Sequence, residues 1–345
     1  MPFLLVVFLQ AFEPCGDQVR LDGAASDYAD LIEEYIRGNY GHAADALRNR
    51  HKFDSSLLPP RDRCRQAAAM AHTEAAIRLT GEIEFTLADR QIKRSRQWIH
   101  EMKVKPERER FRRDWLLALA TFHHGSILSF DPSRGLGRVE QVEGGPRMLL
   151  FFQARRFYDE AVDDFENDAE ILLSAGAFYE WSGSLSTDKR TLRKAEKLYA
   201  RARAADPDYT EAQLRYGRAL EKRGRYDEAR VPLTAVDANV ASTYQAYMAK
   251  LILGRVEHET GNVAAAIELY RDATELLPEW QVAYLSLSHA LHVAGRRDES
   301  REVLAGAIRR EAKSVEVFQG WWVYERGNAD HFEDIWDRMR AELKR

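Results

Sequence analysis

The sequence has few of the residues that would indicate a disulfide-bonded or polyanion-binding protein. Its 345 residues include two cysteines, which are too few for a disulfide framework and show no metal-ligand spacing. The 51 basic and 55 acidic residues give a formal net charge of -4, so there is no overall basic footprint for nucleic acid. Only 10 prolines and 20 glycines accompany abundant alanine, leucine, glutamate and arginine, a composition that favours helices.

Motifs of catalysis are also missing. The sequence contains no G-x-S-x-G, P-loop or H-E-x-x-H motif, and the His-Glu pair at His258 lacks a second histidine. His72 and Glu74 are two apart and point to different sides of a helix, so we expect solvated or capping roles. His123 and His124 are adjacent in sequence, so their side chains point in different directions on a helix. They are kept as possible metal ligands. We therefore predict a protein without enzymatic activity, cofactor or metal.

An apolar run opens the chain. Met1–Phe12 is too short to span a bilayer as a lone helix, and it lacks the basic segment that precedes a signal-peptide core. Cys15 could be the lipid-modified cysteine of a lipoprotein. However, Glu13 and Pro14 precede it where a lipobox has small apolar residues, which argues against lipid modification. Because an exposed run this apolar promotes aggregation, we favour an exported, periplasmic location over a cytoplasmic one, with membrane association open through residues 1–12. A buried first strand or helix of a cytosolic protein is the alternative.

One pattern of small and large residues occurs twice between Tyr209 and Pro278. The first copy has, at intervals of seven and five residues, Gly217, Gly224 and Ala229. The second repeats these intervals and continues at four, three and five, as Gly254, Gly261, Ala266, Tyr270, Ala273 and Pro278. Small residues at helix crossings let two backbones approach closely. The aromatic residue and the proline mark the packing face and the end of a second helix.

This pattern resembles the tetratricopeptide repeat, a helix-turn-helix unit of about 34 residues. Its turn glycines Gly224, Gly261, Gly295 and Gly327 are 37, 34 and 32 residues apart, a periodicity that extends the resemblance towards the end of the chain. The resemblance implies an all-α fold. It would be an α-solenoid of stacked antiparallel helix pairs wound into a right-handed superhelix.

The repeats suggest three segments. Residues 1–26 form the apolar N-terminal segment, and residues 27–168 hold divergent helical repeats with a long loop near 129–146. Residues 169–345 are predicted to form an array of about five helix pairs, in which the last pair is a cap with a polar outer face.

Two pairs depart from the pattern. Ala195 comes twelve residues after Gly183, where five is expected, so we predict that seven residues are inserted in the turn near Ser184 to Arg190. Pro232 lies inside a second helix, which should be kinked or short there.

The resemblance also implies a binding surface, because the first helix of each pair lines the concave side of such a superhelix. The predicted partner-binding residues are Leu214, Arg218, Glu221, Leu251, Arg255, His258, Leu285, His289, His292, Trp321 and Tyr324. They would combine a continuous aliphatic floor with a row that changes from arginine to histidine to tryptophan. Such a groove suits an extended or helical peptide with apolar side chains and some acidic groups.

We therefore predict a scaffold or adaptor that binds another protein or peptide in its concave groove, and does not bind nucleic acid. In the tetratricopeptide domains that hold chaperone C-termini, lysine and asparagine at groove positions bind the terminal carboxylate. Leucine and arginine or histidine stand at the matching positions here, which argues against that partner. Two other interpretations stay open: a component of a bacterial envelope assembly or secretion complex held at a membrane by its N-terminus, and an enzyme whose site uses the loop at 129–146.

Overall fold

The structure is a computed structural model, and it describes residues 61–81, 84–129, 145–186, 188–238, 242–311 and 335–339. In these ranges all regular secondary structure is helical. The first six helices are α1 (Arg61–Gly81), α2 (Phe85–Glu101), α3 (Lys105–Ser129), α4 (Gly145–Asp164), α5 (Ala169–Ser186) and α6 (Lys189–Ala205). The next six are α7 (Thr210–Lys222), α8 (Tyr226–Ala238), α9 (Thr243–Glu259), α10 (Val263–Leu276), α11 (Gln281–Val293) and α12 (Arg297–Glu311).

The chain divides into two compact units, and the division falls inside α4. Unit one comprises Met1–Phe157 and His331–Arg345, and unit two comprises Tyr158–Asp330. The domain boundaries expected from the sequence, at 26/27 and 168/169, stay predictions. The apolar run at 1–12, residues 130–144 of the predicted loop and the segment 312–334 lie outside the described residues. Within the described ranges, no helix is both long and apolar enough to cross a bilayer.

In unit one, α1 and α2 pair, and α3 supplies much of the core. The side chains that α2 buries recur at helical spacing, at Ala88, Gln91, Ile92, Ser95 and Ile99. In α3, Trp115 and the five residues after it are fully buried. The indole Nε1 of Trp115 donates to Oγ1 of Thr73 at 2.8 Å, and Thr73 shares a second hydrogen bond of 2.8 Å with Ser95. This polar contact fixes how α3 packs on α1 and α2.

His72, His123 and His124 of unit one are core residues, which corrects the solvated or capping role expected for His72. The ring of His72 is fully buried and its Nδ1 lies 2.8 Å from Oε1 of Gln91. His123 and His124 are buried as well. Nδ1 of His123 donates to the carbonyl oxygen of Leu119 at 2.7 Å, and its ring stacks on Phe157. Burial lowers the pKa of His123 to about 4, so its imidazole is neutral at physiological pH.

Residues 335–339 are helical and belong to unit one, whereas the sequence pattern assigned them to a cap of the repeat array. Ile335, Trp336 and Met339 are buried there. Nε1 of Trp336 donates to Oε1 of Glu74 in α1 at 3.3 Å. An indole ring buried with a partner for its N–H is a favourable arrangement, and here it joins residues that are 262 positions apart.

Unit two contains stacked helix pairs, as the repeat pattern predicts. The pairs are α5 with α6, α7 with α8, α9 with α10 and α11 with α12, and each pair also packs on the next. A Cβ atom at Gly254 would lie 2.5 Å from Cε1 of Tyr270, and one at Gly176 would lie equally close to Cε1 of Tyr199. Glycine is therefore required where the two helices of these pairs cross. The predicted all-α fold of stacked antiparallel helix pairs is confirmed.

The predicted turns are confirmed at Gly224, Gly261 and Gly295, which have φ values of 70°, 86° and 78°. Backbone in this left-handed region favours glycine and ends the first helix. The residue after each glycine donates its amide to the carbonyl oxygen five residues earlier, for example Asn262 to Glu257 at 2.8 Å. The turns are thus short and similar, which keeps successive pairs in register.

The insertion between Gly183 and Ala195 is not confined to a turn, contrary to the sequence-based expectation. It lengthens both helices: α5 and α6 have 18 and 17 residues, against 13 each in α7 and α8. Leu192 packs against Gly183, and Oδ1 of Asp188 accepts from the amide of Arg190 at 2.9 Å to cap α6. Pro232 lies inside α8, and the expected kink there stays a prediction.

Candidate partner-binding surface

The predicted partner-binding residues lie on three successive first helices of unit two. In α7 they are Leu214, Arg218 and Glu221, in α9 Leu251, Arg255 and His258, and in α11 Leu285, His289 and His292. Trp321 and Tyr324 lie outside the described residues. The nine described residues occupy equivalent positions on α7, α9 and α11, because each of these helices is the first helix of one repeat.

The three leucines differ in exposure. Leu214 is fully buried and Leu251 is buried, and both belong to the core cluster shared by the helix pairs. Leu285 is 41% exposed, and Val293 on the same helix is 51% exposed. Of the three leucines, only Leu285 on α11 is exposed to a partner, so the aliphatic floor expected from the sequence is not continuous along the array. A role for Leu214 and Leu251 in partner binding stays a prediction.

The two arginines also differ. Arg218 is buried and forms an ion pair with Glu221, one turn later on α7. Nε of Arg255, on the next first helix, lies 2.9 Å from Oε1 of the same Glu221, while 55% of the Arg255 side chain stays exposed. One buried carboxylate thus holds two guanidinium groups from successive repeats. Arg218 serves mainly this contact, whereas Arg255 also presents positive charge to solvent.

The histidines of α9 and α11 come together. The rings of His258 and His289 are tilted against one another with their centroids 5.1 Å apart. His289 and His292 are exposed, and His258 is half-buried. Together with Arg255 and Leu285, these three histidines form a contiguous set on two neighbouring helices, which we call the α9–α11 patch.

A second carboxylate links the preceding repeats and was not among the predicted site residues. Glu180 on α5 accepts from the hydroxyl of Tyr199 at 2.8 Å and from Nζ of Lys222 at 2.9 Å, and Nη1 of Arg215 lies 3.8 Å away. Burial alone would raise the pKa of Glu180, but the positive charges of Lys222 and Arg215 hold this pKa below its usual value. The sequence offers one sign of this contact: acidic and basic residues stand at neighbouring positions of the repeat in successive first helices.

Nothing in the described ranges groups three or more histidine, cysteine, aspartate or glutamate side chains in a way that could hold a metal ion. The chemistry of the α9–α11 patch is that of noncovalent recognition: one permanently charged guanidinium, three imidazoles and exposed aliphatic carbon. It can donate hydrogen bonds to carboxylates or carbonyl groups and can bury apolar side chains.

Comparisons with known proteins agree with the repeat pattern. Two tetratricopeptide-repeat family models match the chain, at residues 188–251 and 233–279. No curated protein matches the chain. Similar solved structures include a crystal structure of MamA, with 26% identity over 47% of this chain and 90% of that chain and a TM-score of 0.42. A MamA fragment from Desulfovibrio magneticus RS-1 shows 21% identity over 48% of this chain and 88% of that chain, with a TM-score of 0.42. The family matches and the glycine-marked helix pairs of unit two identify tetratricopeptide repeats within residues 188–279 of this chain.

Proposed function

We propose that this protein is an interaction scaffold that binds a segment of another protein at the α9–α11 patch. Tetratricopeptide repeats support a role in protein–protein interaction. The observation that carries the specific proposal is the position of Arg255, which keeps more than half of its side chain exposed beside the paired rings of His258 and His289.

The patch favours a partner segment that carries both an acidic group and an apolar side chain. The exposed part of the Arg255 guanidinium and the imidazole N–H groups donate hydrogen bonds that a carboxylate accepts. Leu285 and Val293 provide apolar surface next to these donors. Arginine is one of the residue types that are enriched where binding energy concentrates in protein interfaces.

Charge changes at two exposed positions test the proposal. We expect Arg255→Gln combined with His289→Glu to reduce the amount of bound partner by roughly tenfold or more, because an acidic segment would then lose its guanidinium partner and face a new carboxylate. Affinity capture from the native host, with quantitative mass spectrometry of the wild-type and variant proteins, measures this loss. Arg301→Glu on α12 is the matched control, because Arg301 is 78% exposed and lies on a second helix.

Arg218→Glu is a poor test of binding. It would place a second carboxylate beside the buried Glu221, and two like charges in one buried site destabilise the fold. Capture of the same proteins in the same amounts by the wild-type protein and the Arg255/His289 variant would contradict the proposal.

A further inference from the structure

The C-terminal residues 335–339 form a short helix with one apolar side. Ile335, Trp336 and Met339 are buried in unit one, whereas 48% of the Arg338 side chain is exposed. Residues at i, i+1 and i+4 fall on the same side of a helix, so the three buried side chains share one face. A helix that buries one face and exposes the other has the pattern of segments that bind to the surface of another protein.

Carboxylates on α1 and α3 mark the surface that receives this helix. Nε1 of Trp336 donates to Oε1 of Glu74 in α1 at 3.3 Å, and Nη2 of Arg338 lies 3.7 Å from Oδ1 of Asp114 in α3. We call the surface around Glu74 and Asp114 the α1–α3 site. Both polar contacts are long for their type, so they orient the helix, while burial of the large indole ring supplies most of the binding energy.

The α1–α3 site is held together by contacts that do not involve the C-terminal helix. Helices α1 and α2 pair, and Trp115 of α3 donates to Oγ1 of Thr73 in α1 at 2.8 Å. Thr73 also shares a hydrogen bond of 2.8 Å with Ser95 of α2. Residues 335–339 are thus added to a surface that α1, α2 and α3 form among themselves, as a ligand is added to a receptor.

We propose that the α1–α3 site is a helix-binding site for which residues 335–339 act as an internal ligand. The partner that fits the site is an amphipathic helix with the same pattern. It carries an apolar residue directly before a tryptophan, a basic residue two positions after the tryptophan and an apolar residue three positions after it. Its indole N–H would donate to Glu74 and its basic group would face Asp114, so it competes with residues 335–339 for one surface. Helices α7 to α12 take no part, so this proposal is independent of the α9–α11 patch.

A labelled peptide with the sequence of residues 331–345 tests the assignment, and the measurement is its fluorescence anisotropy during titration with the full chain. In the wild-type protein the internal helix fills the site, and in Trp336→Ala this helix loses its anchor. We therefore expect the peptide to bind Trp336→Ala at least roughly tenfold more tightly than it binds the wild-type protein. The matched control is the same peptide with alanine in place of its tryptophan, which should bind neither protein.

A second substitution locates the binding on α1. Combining Glu74→Ala with Trp336→Ala removes the acceptor for the indole N–H of the peptide. We expect the peptide to bind this double variant roughly tenfold more weakly than Trp336→Ala alone, because a buried donor then has no partner. Glu74→Gln in the same background keeps an oxygen acceptor and should recover most of the affinity.

A milder variant keeps the test decisive if Trp336→Ala does not fold, which far-ultraviolet circular dichroism checks. Arg338→Glu leaves the tryptophan in place but sets a carboxylate beside Asp114, so the internal helix should bind less well and the peptide several-fold more tightly than in the wild-type protein. Equal affinity of the peptide for the wild-type protein and the folded variants would overturn the assignment. Unchanged binding to the Glu74→Ala combination, or equal binding of the alanine-substituted peptide, would overturn it as well.

Discussion

At the scale of single residues, the glycines at helix crossings and the buried histidines have the clearest consequences. Gly254 permits the approach of Tyr270, and the interval pattern was enough to predict this crossing. The burial of His72 and His123 could not be predicted, because the sequence around a helical histidine does not specify which side chains pack against it. Its environment is set by side chains such as Gln91 and Phe157, which are far away in sequence.

Gly254→Ala should destabilise unit two by about 1–3 kcal/mol, because the added Cβ would lie 2.5 Å from Cε1 of Tyr270 in a packed core. Thermal or urea unfolding measures the change. Gly81→Ala is the control, since a Cβ at Gly81 meets no other atom within 4 Å. Equal stability of the Gly254→Ala variant and the wild-type protein would show that the crossing is looser than described.

His123 should make unit one less stable as the pH falls from 6.5 to about 4, the window between its ordinary pKa and its pKa in the fold. In that window the unfolded chain takes up a proton that the folded chain does not, so the stability contributed by neutral His123 is complete above pH 6.5. We expect a loss on the order of 1 kcal/mol per pH unit. In His123→Phe, which keeps an aromatic ring beside Phe157, unfolding curves between pH 4 and 7 should lose this component of the slope.

At the scale of helices, successive pairs are joined by carboxylates shared between first helices. Glu180 links α5 to α7 through Lys222, and Glu221 links α7 to α9 through Arg255. The repeat period predicted which helices would be adjacent. It did not predict that Arg218 would be buried. The sequence pattern at a groove position is identical whether the arginine faces solvent or a neighbouring carboxylate.

Lys222→Met should destabilise the contact between α5 and α7 by about 1–3 kcal/mol, because it leaves the buried carboxylate of Glu180 with fewer positive charges nearby. Adding Glu180→Gln to this variant should recover part of the loss, since the uncompensated charge is then removed. Denaturant unfolding of the two single variants and the double variant gives the coupling energy. Strict additivity of the two substitutions would contradict a direct interaction.

At the scale of the whole molecule, the chain consists of two units, and its C-terminal residues 335–339 belong to the unit that contains α1. The solenoid of helix pairs was predictable because its glycines recur in sequence. The contact of Trp336 with Glu74 was not, because it joins segments 262 residues apart and follows no repeat.

Trp336→Ala should destabilise unit one by about 3–5 kcal/mol, the usual cost of truncating a buried tryptophan. Hydrogen exchange should show reduced protection in α1 while the helix pairs of unit two keep theirs, because Trp336 packs in unit one. Asp337→Ala, at an exposed neighbouring position, should change the stability of unit one by less than about 1 kcal/mol, the usual limit for an exposed charged side chain. Loss of protection confined to α9 through α12 would contradict this placement.

The central claim, that the α9–α11 patch is where a partner protein binds, is tested most directly by site-specific photocrosslinking in the native host. A photoreactive amino acid is placed at position 289 in one variant and at position 301 in the other, both of which are exposed. We expect a discrete crosslinked adduct from position 289 that the Arg255→Gln change removes, and no such adduct from position 301. No adduct from position 289, or the same adduct from both positions, would contradict it.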